Sequence, residues 1–311
     1  MFHFLPGRLR GIISFSLIII NTILIFIPLM TVAVIKLALP VAAIRKILST
    51  VLIRIASIWV AVNAGIFRLM HKIHWDVAGA DNLSKDSWYL VISNHQSWVD
   101  IFVIQTILLS RVPYIKFFLK KELIWVPLMG IAWWALDFPF MKRYSKSFLK
   151  KNPHLKGKDV EVTRKACEKF KFSPISIMNF VEGTRFTEQK HQKQGSPHTH
   201  LIKPKAGGVA FVMGAMGEYL NNILNFTIAY PEGAPAFWDF LCGRVSEIRV
   251  DIQTMPVEEK LLGDYDNDPE YKAFFQNWVN DVWVEKDKQM ERLLNGDNEI
   301  QETGTLQGDA A

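Results

Sequence analysis

The N-terminal part of the chain is dominated by two apolar runs. Residues 11–35 contain no charged side chain. As a helix they would extend about 37 Å at 1.5 Å per residue, which is enough to cross a bilayer. Pro28 is expected to kink this helix without ending it, because lipid offers the freed backbone groups no other partner. Residues 49–67 are also apolar but include Arg54 and Asn63, so they predict an interfacial or half-buried helix.

Basic residues flank the first apolar run on both sides. Arg8 and Arg10 precede it, and Lys36, Arg45 and Lys46 follow it. The positive-inside rule therefore gives a divided answer. A helical hairpin that enters and leaves on the cytoplasmic side would reconcile the charges and is preferred, with a single-span anchor as the alternative. A cleaved signal peptide is disfavoured, because the run is longer than the usual apolar region of about 7 to 15 residues.

Beyond residue 75 short apolar or β-branched runs alternate with helical stretches. This pattern is typical of an α/β fold with a largely parallel sheet flanked by helices. The predicted strands are 88–93, 175–180, 224–229 and 248–252, and the predicted helices are 98–109, 159–172, 206–221 and 268–292. The chain thus divides into membrane-anchoring helices at 1–72, an α/β domain at 73–292 and a disordered polar tail at 293–311.

The composition indicates that the chain has apolar and anionic partners. Half of the 311 residues are hydrophobic, and the mean hydropathy is +0.12. The formal net charge is +6, and eleven Lys or Arg lie between residues 141 and 172 against three Asp or Glu. Such a surface attracts phospholipid headgroups, phosphorylated substrates or nucleic acid, and charge alone does not choose among them. The two cysteines, Cys167 and Cys242, fit no metal spacing and favour a reducing compartment.

The segment LVISNHQSWVDIF, residues 90–102, runs from a predicted strand through a polar turn into a helical pattern. Such junctions often carry the active sites of α/β folds, and histidine suits general base catalysis near neutral pH. Asp100 lies five positions after His95, so their side chains can meet only if His95 precedes the helix. Ser97 and Asp100 match a capping box, which predicts Ser97 as N-cap. Taken singly, His95 and Asp100 also fit purely structural roles.

A second polar turn follows another predicted strand, in FVEGTR at residues 180–185. Gly183 permits a tight turn, and the planar guanidinium of Arg185 pairs well with phosphate oxygens. Taken alone, E-G-T-R is also an ordinary surface turn.

Together, N-H-Q-S-W-V-D at 94–100 and F-V-E-G-T-R at 180–185 resemble the first and third signature blocks of the glycerolipid acyltransferase family. That family includes the 1-acylglycerol-3-phosphate acyltransferases. The stretch 117–143 resembles the part between the blocks, and the strand ending at Tyr230 resembles a divergent fourth block. The resemblance extends over about residues 75–235, and the chain is similar to bacterial inner-membrane paralogues of the lysophosphatidate enzyme. Val181 stands where the family usually has proline, a change expected to affect acceptor preference more than reaction type.

The resemblance implies transfer of a fatty acyl group from acyl-CoA or acyl carrier protein to the sn-2 hydroxyl of 1-acylglycerol-3-phosphate, forming phosphatidic acid. His95 and Asp100 would be the catalytic pair, without metal or cofactor. The implied substrate-binding residues are Lys120, Arg143, Glu182, Gly183, Thr184, Arg185 and Lys205. The implied setting is the bacterial inner membrane, with the catalytic domain on the cytoplasmic side. Membrane phospholipids, the lysophospholipid and the acyl donor would be partners, and nucleic acid would not.

The sequence leaves alternative acceptors and alternative functions open. The acceptor can be another lysophospholipid, such as lysophosphatidylglycerol. Ser97 can be imagined as a nucleophile, although no G-x-S-x-G elbow occurs in the chain. His191, His198 and His200 lack the helical or finger spacing of a metal site. A non-enzymatic membrane adaptor that binds anionic lipid would not need both His95 and Asp100.

Overall fold

The computed structural model describes residues 2, 4–126, 129–141, 158–170 and 173–296. The predicted tail at 293–311 lies almost wholly outside these residues, as do Arg143 and most of the basic stretch between residues 141 and 172. The described helices are α1 Gly7–Ala38, α2 Ala42–Met70, α3 Val99–Leu108, α4 Met129–Ala135, α5 Lys158–Cys167, α6 Glu188–Gln194, α7 Ala206–Met216, α8 Phe237–Leu241 and α9 Pro269–Asn295. Single 3-10 turns occupy Lys121–Trp125, Glu168–Phe170, Gly217–Tyr219 and Glu259–Leu261.

A mostly parallel sheet forms the centre of the α/β domain. Its strands are β1 His74–Ala78, β2 Tyr89–Ser93, β3 Ile115–Phe117, β6 Ser176–Phe180, β7 Asn222–Ala229 and β8 Glu247–Pro256; β4 Leu119–Lys120 and β5 Phe140–Met141 form a separate pair. The order is β1-β8-β7-β2-β6-β3, and only the β7–β8 pair among these neighbours is antiparallel. The predicted α/β class with a largely parallel sheet is confirmed. The edge strands β1 and β3 were not predicted, because His74 and Asp76 interrupt the apolar pattern of β1, and β3 has only three residues, one of them Lys116.

The two faces of the sheet are covered by separate hydrophobic layers. On one face α3 packs with Val103, Ile104 and Ile107 against the strands. On the other face α7 and α9 contribute Val209, Phe275 and Trp283 among others. Because both faces are buried, β2 has no exposed residue along its length, as expected for a central parallel strand.

The N-terminal helices form an antiparallel pair with an apolar exterior. Both are long and apolar enough to cross a membrane by length and composition, and only 17% and 22% of their most apolar windows are buried in the protein. The amide of Asn21 donates to Asn63 at 2.8 Å inside the pair. The helix expected at 49–67 in fact extends from Ala42 to Met70, and it meets the same length and hydropathy criterion as α1. Helix α1 continues through Pro28, as predicted.

Both ends of α1 are attached to the α/β domain. Near its start, Arg10 donates to the backbone carbonyl of Cys242 at 2.9 Å. Near its end, buried Lys36 donates to Asp137 at 2.6 Å, and Ser49 of α2 donates to the same carboxylate at 2.9 Å. The expectation that Arg10 and Lys36 serve as flanking membrane charges is therefore revised, since both side chains are used to attach the helical pair.

Candidate active site

The polar loops after β2, β6 and β7 meet at one edge of the sheet. Strand β2 lies between β6 and β7, parallel to both. Their carboxyl ends therefore lie side by side, which is where open α/β sheets commonly bind ligands. His95 follows β2, Glu182 follows β6 and Tyr230 follows β7. Strand order thus brings together residues that are far apart in sequence.

His95 and Asp100 are in direct contact. Nδ1 of His95 lies 2.9 Å from Oδ2 of Asp100, whose side chain is 1% exposed. Because a carboxylate oxygen can only accept, Nδ1 carries the proton in this pair and Nε2 presents the basic lone pair. The His95 side chain is 13% exposed, so a reactant can reach it. The predicted pairing of His95 with Asp100 is present in the structure.

Asp100 is held by four donors. Besides His95, its Oδ2 accepts the backbone N–H groups of Gln96 at 2.7 Å and Ser97 at 2.9 Å. Its Oδ1 accepts the hydroxyl of buried Tyr230 at 2.7 Å. These bonds offset the cost of burying the carboxylate and fix its orientation toward the imidazole.

The predicted capping box is only partly correct. Helix α3 begins at Val99 with Trp98 as its N-cap, one residue later than predicted. Ser97 accepts the N–H of Val99 at 3.1 Å, where a capping box would have it accept that of Asp100. Its hydroxyl donates to the carbonyl of Pro235 at 2.5 Å. That bond occupies the proton that a serine nucleophile would give up.

The EGTR turn holds the backbone of His95 on both sides. Oε2 of Glu182 accepts the N–H of His95 at 3.0 Å, and the N–H of Phe186 donates to the carbonyl of His95 at 2.7 Å. The imidazole also stacks on Phe180, with ring centroids 3.9 Å apart and planes tilted by 15°. The two sequence blocks therefore contact each other at His95.

Glu182 is fully buried and does not face a ligand directly. Burial raises the pKa of its carboxyl to about 8, against the opposing effects of the His95 N–H and the charge of Lys286. Lys286 of α9 is also fully buried, and burial lowers the pKa of its ammonium to about 7. The expectation that Glu182 contacts substrate is corrected, because its carboxyl is turned to the backbone of His95.

The remaining turn residues lie closer to the surface. Gly183 has a φ of 66°, which favours glycine, and a Cβ there would lie 3.2 Å from the ammonium of Lys205. The ammonium of Lys190 donates to Thr184 Oγ1 and to the carbonyl of Arg185, both at 2.8 Å. The exposed guanidinium of Arg185 lies 4.9 Å from the ring centroid of Trp98. Arg185 of the turn and Lys205, the N-cap of α7 whose side chain lies over Gly183, thus place two cations at the EGTR turn.

Three residues of the site had no predicted role. Both hydrogen-bonding groups of the Asn94 amide bond to Ile228 of β7 at 2.9 Å. Tyr230 supports Asp100, and Lys190 supports the EGTR turn. Tyr230 directly follows the predicted strand 224–229, within the stretch that resembles a divergent fourth block. Asn94 adjoins His95, but its partner in β7 is not visible in the sequence.

Two of the implied substrate-binding side chains fall outside the described part of the structure, and the predicted loop histidines bond to other groups. Lys120 lies in β4, and its side chain is outside the described part of the structure, as is the whole of Arg143. His191 bonds through Nε2 to the carbonyl of His198 at 2.7 Å, and His200 bonds to Glu291. Val181, at the usual proline position, donates its N–H to Ser93 at 3.3 Å, a bond that proline would not make.

Sequence comparison relates the chain to known acyltransferases. A family model described as Acyltransferase matches residues 74–230. A 1-acyl-sn-glycerol-3-phosphate acyltransferase 3 from Arabidopsis thaliana is 27% identical over 224 residues, covering 67% of this chain and 54% of its own length. Lysocardiolipin acyltransferase 1 from Gallus gallus is 24% identical over 269 residues, covering 81% of this chain and 65% of its own length. The chain therefore spans about half to two thirds of these relatives.

A solved structure shares the whole fold. The crystal structure of the 1-acyl-sn-glycerophosphate (LPA) acyltransferase PlsC from Thermotoga maritima has a TM-score of 0.54 and 16% sequence identity, covering 92% of this chain and 98% of its own. The likeness extends over the N-terminal helices as well as the α/β domain, since so much of both chains is covered.

Proposed function

This chain belongs to the acyltransferase family, and we propose that it is a membrane-bound enzyme that acylates a lysophospholipid. The favoured acceptor is the sn-2 hydroxyl of 1-acylglycerol-3-phosphate, with acyl-CoA or acyl carrier protein as donor and phosphatidic acid as product. The observation that carries the proposal is the His95–Asp100 bond of 2.9 Å beside the EGTR turn. We assign this activity to residues 73–292, with residues 1–72 as membrane anchor.

In the proposed reaction His95 is the general base. Its Nε2 takes the proton of the acceptor hydroxyl as the oxygen attacks the thioester carbonyl carbon. Asp100 holds the imidazole in the required tautomer and stabilises its cation. The tetrahedral intermediate then collapses, the carbon–sulfur bond breaks, and the leaving thiolate takes the proton back from His95. Acyl transfer thus needs no serine nucleophile and returns His95 to its starting state.

Acceptor binding is assigned to the cations of the EGTR turn. Arg185 offers a planar fork to a phosphate, and Lys205 supplies a second charge above Gly183. Thr184 and Gly183 shape the turn, while Lys120 and Arg143 are further candidates by family resemblance. The relatives include both a 1-acyl-sn-glycerol-3-phosphate acyltransferase and a lysocardiolipin acyltransferase. Lysophosphatidylglycerol therefore stays as an alternative acceptor.

The helical pair is proposed to lie in one face of the membrane, here the cytoplasmic face of a bacterial inner membrane. Arg10 and Lys36 both contact the α/β domain, which supports placing both ends of α1 on the domain's side of the bilayer. The exposed apolar side chains between them then face lipid. Lys36 and Ser49 hold the α1–α2 turn at the domain as well, so we propose a pair that lies along one face of the membrane, in place of a hairpin whose turn lies deep in the bilayer.

The decisive experiment is a product assay. Purified protein is incubated with a panel of lysophospholipids and isotopically labelled acyl-CoA or acyl carrier protein, and the products are identified by mass. Labelled phosphatidic acid is expected, with kcat at least about 100-fold lower for His95→Ala, the lower range of general base catalysis. Ser97→Ala is the matched control and should retain acyl transfer. Lipid binding without any labelled product would instead favour a non-enzymatic adaptor.

A further inference from the structure

A cavity lies between α2, β1 and the later part of α3. Its volume is about 700 Å³, which is within the range of small-molecule sites, about 300–1,000 Å³. Apolar side chains form much of its wall: Phe67, Ile73, Trp75, Val77 and Ile107. Gly65 of α2 also lines it, and a Cβ at that position would meet no atom within 4 Å. The cavity thus has open space against the apolar helix.

The charge in this cavity is all of one sign. Arg68, Lys72 and Arg111 line it, and no Asp or Glu is among its lining residues. Within the described residues, none of the three cations forms an ion pair. One guanidinium N–H of Arg111 donates to the carbonyl of Ile107. The nearby Asp76 alternates along β1 with the lining residues and therefore faces the other way.

His71 contributes no charge at neutral pH. It lines the cavity, and its Nε2 bonds to the carbonyl of Leu241 at 3.0 Å. Burial lowers the pKa of its imidazole to about 4. The positive potential of the cavity therefore comes from three exposed side chains, which can move to meet a ligand.

The cavity is separate from the His95 site. Asp100 lies in the first turn of α3, whereas Thr106 and Ile107 line the cavity and Arg111 follows the end of the helix. At 1.5 Å per residue, Thr106 is about 9 Å along the helix axis from Asp100. Neither His95 nor Asp100 lines the cavity.

We propose that this cavity binds the phosphate headgroup of an anionic membrane phospholipid that is not the acyl acceptor. The proposed ligand carries a phosphate attached to an apolar part, the glycerol and acyl chains. Basic pockets beside membrane helices suit such headgroups, and the apolar wall suits the glycerol and upper acyl chain. The bound lipid would tie α2 to the α/β domain through Arg68 and Arg111. This inference needs lipid around α2 and does not depend on the acyl-transfer reaction.

The test uses full-length protein, delipidated in a neutral detergent. Short-chain phosphatidylglycerol, phosphatidylcholine and inorganic phosphate are titrated while the Tm is followed, and native mass spectrometry counts retained lipid. Phosphatidylglycerol is expected to raise the Tm and to be retained as one tightly held molecule. An equal rise in Tm with phosphatidylcholine would show that the site does not select anionic lipids and would overturn the proposal. An equal rise in Tm with inorganic phosphate would show that the ligand is phosphate and not a lipid.

Variants locate the site. Arg68→Gln, Lys72→Gln and Arg111→Gln should each weaken the apparent affinity about fivefold, the equivalent of about 1 kcal/mol per cation. Gly65→Leu fills the cavity without changing charge and should abolish retention. Lys46→Gln removes an exposed cation of α2 outside the cavity and should have no effect. Unchanged retention in both Gly65→Leu and the triple glutamine variant, with the lipid-free Tm preserved, would refute the assignment.

Discussion

The carboxyl of Glu182 accepts the backbone N–H of His95 at 3.0 Å across 87 positions of sequence. This bond joins the two signature blocks directly. It also changes the role of Glu182, from a residue that faces substrate to one that positions the base. Because burial raises the pKa of Glu182 to about 8, the neutral acid is favoured near pH 7, and the neutral acid still accepts through its carbonyl oxygen.

Glu182→Gln should therefore retain most of the wild-type kcat near pH 7, because the amide oxygen accepts the same N–H. Glu182→Ala leaves that buried N–H without its acceptor, at a cost of about 1–3 kcal/mol. We expect its kcat to fall about tenfold, as 1.4 kcal/mol in the barrier would produce. Steady-state kinetics with both variants decide the matter. Equal losses of kcat in Glu182→Gln and Glu182→Ala would show that the charge of Glu182 is needed.

Tyr230 is expected to support catalysis through Asp100. Its hydroxyl donates to Oδ1 at 2.7 Å, and burial, with the charge of Asp100, raises the pKa of Tyr230 well above its ordinary value. Tyr230→Phe removes one donor from a buried carboxylate and should destabilise the fold by about 1–3 kcal/mol. A fall in kcat of about tenfold with little change in KM is expected. A changed KM with normal kcat would place Tyr230 in acceptor binding instead.

Arg185 should act on the phosphate of the acceptor. A charge-assisted bond of this kind contributes about 1.5–3 kcal/mol, so Arg185→Ala should raise KM for lysophosphatidate about tenfold or more, with a smaller effect on kcat. Arg185→Lys keeps the charge but loses the planar fork of the guanidinium. Its KM should therefore lie between those of the wild type and Arg185→Ala. Monoacylglycerol, which lacks the phosphate, provides the control acceptor. A similar loss of its acylation in Arg185→Ala would mean that the substitution disturbs the turn.

Lys286 should make stability depend on pH. Its folded pKa of about 7 lies below its ordinary value of 10.5 because of burial. Between these values the unfolded chain binds a proton that the folded protein lacks, so the free energy of unfolding rises with pH. The Tm of wild type relative to Lys286→Met should therefore increase from about pH 7 to about pH 9.5. A parallel pair of Tm curves would contradict the lowered pKa.

The sequence alone determined the features that depend on neighbouring residues. An uninterrupted apolar run specifies α1, because hydropathy acts over a contiguous stretch. The strand–turn–helix pattern around His95 and the glycine at 183 likewise reflect local backbone preference. The five-position spacing allows His95 and Asp100 to meet if His95 precedes the helix, and the family resemblance implies that they form a pair.

The tertiary structure decided what depends on strand order. Tyr230 reaches Asp100 only because β7 lies beside β2, and Glu182 reaches His95 only because β6 lies on the other side. Lys36 reads as a flanking membrane charge in sequence, yet it is buried against Asp137, 101 positions away. Contacts over such separations depend on how whole elements pack, and no local pattern of hydrophobic and polar residues encodes that packing.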